Sequence, residues 1–129
     1  MATMQYLTTT QFDHGAVSQT GATLQRLGVK RPIVVTDQGI KAAGLLEKVL
    51  AAMDAPVAIF DTTPPNPTEA SVRDAHAVYV ASGADGIVAI GGGSSMDLAK
   101  AMGLMASHAG PFDQYGAAKR GSKLIGKIP

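Results

Sequence analysis

Apolar residues cluster in continuous runs at Ile33-Val34-Val35-Thr36, Val57-Ala58-Ile59-Phe60 and Ile87-Val88-Ala89-Ile90. Each run is rich in β-branched residues and does not alternate with polar ones. Strands buried on both faces of a parallel sheet read this way. A turn signal follows each run: Asp37-Gln38-Gly39, the stretch from Asp61 to Pro67, and Gly91-Gly92-Gly93. Helix-length segments with an apolar period separate the runs. Ala43, Leu46, Val49, Leu50 and Met53 fall on one helical face, as do Val72, Ala75 and Tyr79, and then Leu98, Ala101, Met102 and Met105. An earlier helix is predicted from about Ala16 to Leu27, with Val17, Leu24 and Leu27 turned inward and Gly28 ending it. Thr68-Glu69 after Pro67 reads as a helix start with an acid in its first turn. Strands alternating with helices predict right-handed crossover units and a doubly wound, mostly parallel α/β sheet of Rossmann-like type. The Thr-rich stretch up to Gln11 is read as an edge strand or hairpin. The aperiodic stretch from Gly110 to Pro129 is read as a solvated loop.

The glycine turn carries the most chemical information. A buried strand feeds Gly91-Gly92-Gly93-Ser94-Ser95-Met96-Asp97, and a helix follows. Backbone without Cβ can approach a phosphate closely, and the free N–H groups and positive dipole end of the helix then face it. Ser94 or Ser95 can add a hydroxyl. A second reading needs no ligand, because Ser94-x-x-Asp97 matches a capping box. Three consecutive glycines exceed what a cap requires. The chain contains neither G-x-G-x-x-G nor the Lys-Ser/Thr ending of a Walker A loop. The order is also not that of the dinucleotide fingerprint, since the strand-end acid Asp37 precedes the glycine turn.

Composition narrows the field. The chain has 129 residues with 46% hydrophobic and 16% charged, enough apolar material for one domain with a core. Its formal charge of +1 excludes the strong basic excess of a nucleic-acid binder, and 5% aromatics offer little base stacking. There is no Cys, hence no disulfide and no thiolate metal site. No apolar run approaches the roughly 18 residues of a membrane span, and Met1 to Gln5 lacks a signal-peptide pattern. A cytoplasmic chain with no nucleic-acid or membrane partner is the expectation. His14, His76 and His108 show no ligand spacing and read as surface or packing residues. Lys100 reads equally as a snorkelling lysine or as a charge near a ligand.

These residues together resemble the N-terminal domain of the iron-containing, metal-dependent alcohol dehydrogenases. The resemblance rests on Phe12-x-x-Gly15-Ala16, Val35-Thr36-Asp37-x-Gly39, Ala42-x-Gly44-Leu45-Leu46 and Pro65-Asn66-Pro67-Thr68. It continues through Gly83-Ala84-Asp85-Gly86-Ile87-Val88-Ala89-Ile90-Gly91-Gly92-Gly93-Ser94 and closes with Asp97-x-Ala99-Lys100. It covers nearly the whole chain in order. It implies a dehydroquinate synthase-like cofactor domain, with residues 1–129 as its incomplete N-terminal part. It also implies alcohol–aldehyde or ketone interconversion by hydride transfer to or from a nicotinamide. By the family's pattern Asp37 meets the adenosine ribose and Asn66 lies by the cofactor. Gly92, Gly93 and Ser94 hold the pyrophosphate, and Asp97 lies near the nicotinamide end. NAD is the expected cofactor and NADP the less favoured one. A carboxylate at Asp37 suits a ribose 2′-OH and repels a 2′-phosphate, and Lys41 is the nearest cation in sequence. Iron or zinc belongs to a helical domain further downstream, whose Asp and His ligands match nothing here, so this chain alone is expected to be inactive. A small alcohol or aldehyde as substrate and a homo-oligomer are implied as well. The alternatives are a glycerol dehydrogenase or dehydroquinate synthase-like enzyme domain, or a stand-alone nucleotide-binding module.

Overall fold

The computed structural model describes residues 8–129. Three parallel strands form the sheet in the order β2-β1-β3: β1 (Pro32–Val35), β2 (Ala58–Phe60) and β3 (Gly86–Ala89). The register sets Val34 beside Ile59 on one side and beside Val88 on the other. All three strands lie on the apolar runs, displaced by at most one residue.

The helices are α1 (Thr20–Leu27), α2 (Gln38–Ala42), α3 (Leu45–Leu50), α4 (Glu69–Ser82) and α5 (Gly93–Ser107). Helix α4 begins as its sequence indicates. Thr68 and Ser71 form a reciprocal capping box, and Glu69 in the first turn pairs with Arg73. Ile33, Val35, Phe60, Val72, Ala75, Leu98, Ala99 and Met102 make one buried core, which places α4 and α5 against the sheet.

Four expectations need correction. The helical face read from Ala43 to Met53 is shorter than expected, since α3 spans only Leu45–Leu50 and Met53 lies beyond it. Gly44 adopts φ +68, which separates α2 from α3, and Leu46 is the only core-facing residue of α3 that is fully buried. The predicted helix from Ala16 to Leu27 opens as a 3-10 turn over Ala16–Gln19 before α1, and α1 buries no residue. Val17 is 41% exposed and Leu27 67%, so neither turns inward as expected; both line an apolar groove of about 390 Å³ beside Val88. Gly28 does end α1, at φ 76. The stretch after Gly110 is not a plain loop but holds 3-10 turns at Phe112–Tyr115, Ala117–Lys119 and Gly121–Leu124. Of the expected N-terminal strand, residues 1–7 lie outside the described residues, and residues 8–11 carry no strand.

Candidate functional site

The strand order creates a switch point. The chain leaves β1 towards β2 and then crosses back to β3 on the other side of β1. In such sheets ligands occupy the crevice outside the carboxyl ends of the two strands where the order reverses. Asp37 follows β1 and the glycine turn follows β3, so residues separated by more than fifty positions meet at one edge of the crevice.

Asp37 is already engaged on both oxygens. Its Oδ1 accepts the Ile40 N–H at 2.9 Å, which caps α2, and its Oδ2 accepts the buried Ser95 hydroxyl at 3.1 Å. A carboxylate offers about four acceptor positions, so two remain for a ligand. The capping role and a ligand role are therefore compatible at this residue.

The three glycines serve different ends. Gly91 has φ +140, and a Cβ there would stand 2.8 Å from Ser95 Oγ and 3.1 Å from Asp37 Oδ2. The contact between Asp37 and Ser95 itself demands that glycine. Gly92 and Gly93 are exposed, and a Cβ on either would meet nothing within 4 Å. No contact within the chain explains why these two positions lack side chains.

The capping-box reading of this turn does not hold. Gly92 is the N-cap of α5 and no side chain caps the helix. Ser94 instead donates its hydroxyl to the Pro65 carbonyl, tying the start of α5 to the loop after β2. The opening turn of a fifteen-residue helix thus presents backbone N–H groups without a side-chain acceptor.

Beside it lies a cavity of about 410 Å³, lined by Asp37, Gln38, Gly39, Thr63, Pro65 and Ser94 among others. Asp37 and Ser94 thus line the same cavity, with Gly92 and Gly93 adjoining Ser94 in sequence. Asn66 and Asp97 are exposed and outside this lining. Sequence reasoning did not single out Thr63, which is buried with its hydroxyl unpartnered, nor the anchoring partnership of Ser95 with Asp37. Neither has a local signal, since each depends on the fold bringing loops together.

One ion pair flanks the cavity. Lys41 Nζ donates to Asp61 Oδ2 at 2.7 Å, and the Gln38 amide donates to the Asp61 carbonyl oxygen at 3.0 Å. The Lys41 ammonium holds the Asp61 carboxyl below its ordinary range, and Asp61 in turn raises Lys41.

Two of the three histidines are engaged elsewhere, and His14 is exposed. His108 Nδ1 bonds Ser107 Oγ at 2.8 Å and its Nε2 accepts the Gly126 N–H at 2.7 Å, while His76 stacks on Tyr79. Among the described residues no three His, Asp or Glu side chains gather where they could hold a metal ion. These side chains do not form a donor set that fits iron or zinc. Among the described residues no helix is long and apolar enough to cross a membrane.

The fold and its crevice define a parallel α/β chain with an uncapped glycine turn at the sheet's switch point. Comparison with known proteins gives the family. The model of iron-containing alcohol dehydrogenases matches residues 8–128. A 4-hydroxybutyrate dehydrogenase from Cupriavidus necator is 48% identical over 97% of this chain and 33% of its own length. An NAD-dependent methanol dehydrogenase from Bacillus methanolicus is 39% identical over 78% of this chain and 27% of its own. The crystal structure of a 1,3-propanediol oxidoreductase superposes with a TM-score of 0.74 at 40% identity, covering 78% of this chain and 27% of that one. The chain belongs to the iron-containing alcohol dehydrogenase family, whose members matched here are oxidoreductases. It spans about a third of the length of these curated relatives.

Proposed function

We propose that this chain is the dinucleotide-holding part of an NAD-dependent alcohol dehydrogenase. The observation that carries the reading is the pair Gly92 and Gly93. Both lack side chains where the protein has open space, at the uncapped start of α5 and beside the cavity that Asp37 lines. Backbone N–H groups there suit a pyrophosphate, which gains from the helix dipole without meeting a Cβ. Asp37, held by Ile40 and Ser95, presents its remaining acceptor positions to ribose hydroxyls. Asn66 and Asp97, exposed and outside the cavity lining, are assigned by the family's pattern to the cofactor and its nicotinamide end. The name of the Bacillus relative supports NAD as the dinucleotide.

When bound, the nicotinamide supplies hydride transfer between a small alcohol and its aldehyde or ketone. The residues of this chain bind and orient. Ser94 locks the turn to the Pro65 loop, and the Asp37–Ser95 contact fixes the ribose wall against α5. None of them is assigned a proton or a bond to the reacting carbon. On this reading residues 1–129 form an incomplete cofactor domain that turns over no alcohol alone.

Calorimetric titration of the full-length protein with NAD⁺ tests the reading, with ADP as competitor. NAD⁺ is expected to bind, ADP to displace it, and nicotinamide mononucleotide to compete poorly, because this chain grips the adenosine diphosphate half. Absence of NAD⁺ binding, or displacement by the mononucleotide and not by ADP, overturns it.

A further inference from the structure

The Lys41–Asp61 pair stands on the flank of the cavity where the ribose would lie, and nothing in the proposed binding of NAD uses it. Along 37–44 and 58–68, the segments that follow β1 and run through and beyond β2, Lys41 is the only cation. The same segments hold two carboxylates, Asp37 and Asp61. Lys41 lies one turn into α2, the helix that Asp37 caps, so its stem leaves the wall that carries the ribose-facing carboxylate. Its ammonium is nevertheless committed, at 2.7 Å, to Asp61. Asp61 in turn is held in place by a backbone bond, since the Gln38 amide donates to its carbonyl oxygen.

We propose that Asp61 is a specificity-determining residue that withholds Lys41 from the 2′-phosphate of NADP. The inference rests on the dinucleotide reading above and assigns the rejection of NADP to two carboxylates in place of one. Asp37 repels a 2′-phosphate directly. Asp61 neutralises the one side chain of these segments that would attract it. A 2′-phosphate is close to dianionic at neutral pH, so a free ammonium beside the ribose would favour its reception, and an ammonium paired with a carboxylate would not. The released ammonium sits on a flexible four-carbon stem that is half exposed, so it can swing towards the ribose.

The test is the ratio of NADP⁺ to NAD⁺ dissociation constants, measured on the full-length protein. Asp61→Asn keeps the side-chain shape and leaves the Gln38 bond to the main chain intact. It is expected to move the ratio about fivefold or more towards NADP⁺, and about 0.5 M salt should erase most of that shift. On a Lys41→Met background the same substitution should move the ratio by clearly less, because no cation is left to release. An unchanged ratio in folded Asp61→Asn overturns the proposal, as does a shift that persists in full without Lys41. Asp61→Ser, which also frees the ammonium, decides the matter should Asp61→Asn fail to fold. The same shift of about fivefold towards NADP⁺ is then expected, and an unmoved ratio overturns the proposal. The parent protein reports separately on the underlying reading. If it binds neither dinucleotide the cofactor assignment falls, whereas binding with an unmoved ratio removes Asp61 alone.

Discussion

The two sides of the sheet are covered unequally. On one side α4 and α5 bury Val72, Ala75, Leu98, Ala99 and Met102 against Ile33, Val35 and Phe60. On the other, α1 buries no residue and leaves a groove between Leu24, Leu27 and Val88. The difference locates what holds the site. The glycine turn opens α5, the helix with the most buried residues of the chain, and Ser95 just inside it reaches across to Asp37. The well-packed side therefore positions the site, and α1 stands away from it. Hydrophobic burial scales with apolar area removed from water, so most of the stabilising free energy acts on the side that also fixes the crevice.

Leu98 is where the strong side should break first. It is fully buried in the core, one turn beyond Ser95 on α5. Leu98→Ala should cost about 2–5 kcal/mol in urea unfolding, and cofactor affinity should fall as well because the turn loses its anchor. A loss below about 0.5 kcal/mol would mean that α5 is not held by this core and would dissolve the contrast between the sides.

Gly93 probes the site end of the same helix. It is exposed, and a Cβ added there meets nothing within 4 Å beyond its own helix backbone and chain neighbours, so Gly93→Val faces open space. Fold stability should change little, since a β-branched residue at a helix start has a small propensity cost. NAD⁺ binding should weaken at least tenfold, about 1.4 kcal/mol, because the added side chain occupies the pyrophosphate position. Unaltered affinity in the folded variant would leave Gly93 as a helix start and nothing more.

Asp37 sharpens the comparison by separating support from recognition. Asp37→Gly removes the cap on α2 and the acceptor of Ser95, which should cost about 1 kcal/mol of stability. It should also narrow or reverse a preference for NAD⁺ over NADP⁺ in paired titrations, because a carboxylate no longer opposes the 2′-phosphate. Stability lost with the preference intact would make Asp37 a cap alone.

How much of this was legible depends on whether the determining contacts are local. The three strands could be read because burial on both faces imposes an unbroken apolar run. The start of α4 could be read because the cap Thr68 and the first-turn acid Glu69 are neighbours just after Pro67. Asp37 and the glycine turn stood out because each combines an unusual residue choice with a strand end. The break between α2 and α3 turns on the backbone of one residue, Gly44, inside a segment whose apolar period continues across it. The division of labour among the glycines was illegible, because what excludes a Cβ at Gly91 is Ser95 together with Asp37, a residue at the far end of the intervening crossovers. The Lys41–Asp61 pair is hidden for the same reason, since twenty residues separate two side chains that the β1–β2 pairing brings together.

Helix α1 shows the opposite failure, and the smallest predicted effect follows from it. Val17, Leu24 and Leu27 share an apolar period, and periodicity predicts that such a face is buried. A period identifies a face able to be buried but not the surface that receives it. Here the sheet gives α1 only the rim of β3, and Leu27 keeps 67% of its surface exposed. Leu27→Gln in the 129-residue chain therefore removes little apolar area from contact, and glutamine is as good a helix former as leucine. Urea unfolding should register a change within about 0.5 kcal/mol, far below that of Leu98→Ala. A loss above about 2 kcal/mol would show that α1 is part of the core and that the two sides are equally built. The same substitution in the full-length protein makes the contrast sharper. A larger loss there than in the 129-residue chain would show that residues beyond this chain cover the α1 groove. Equal small losses in both would leave the groove open and the sheet supported from one side.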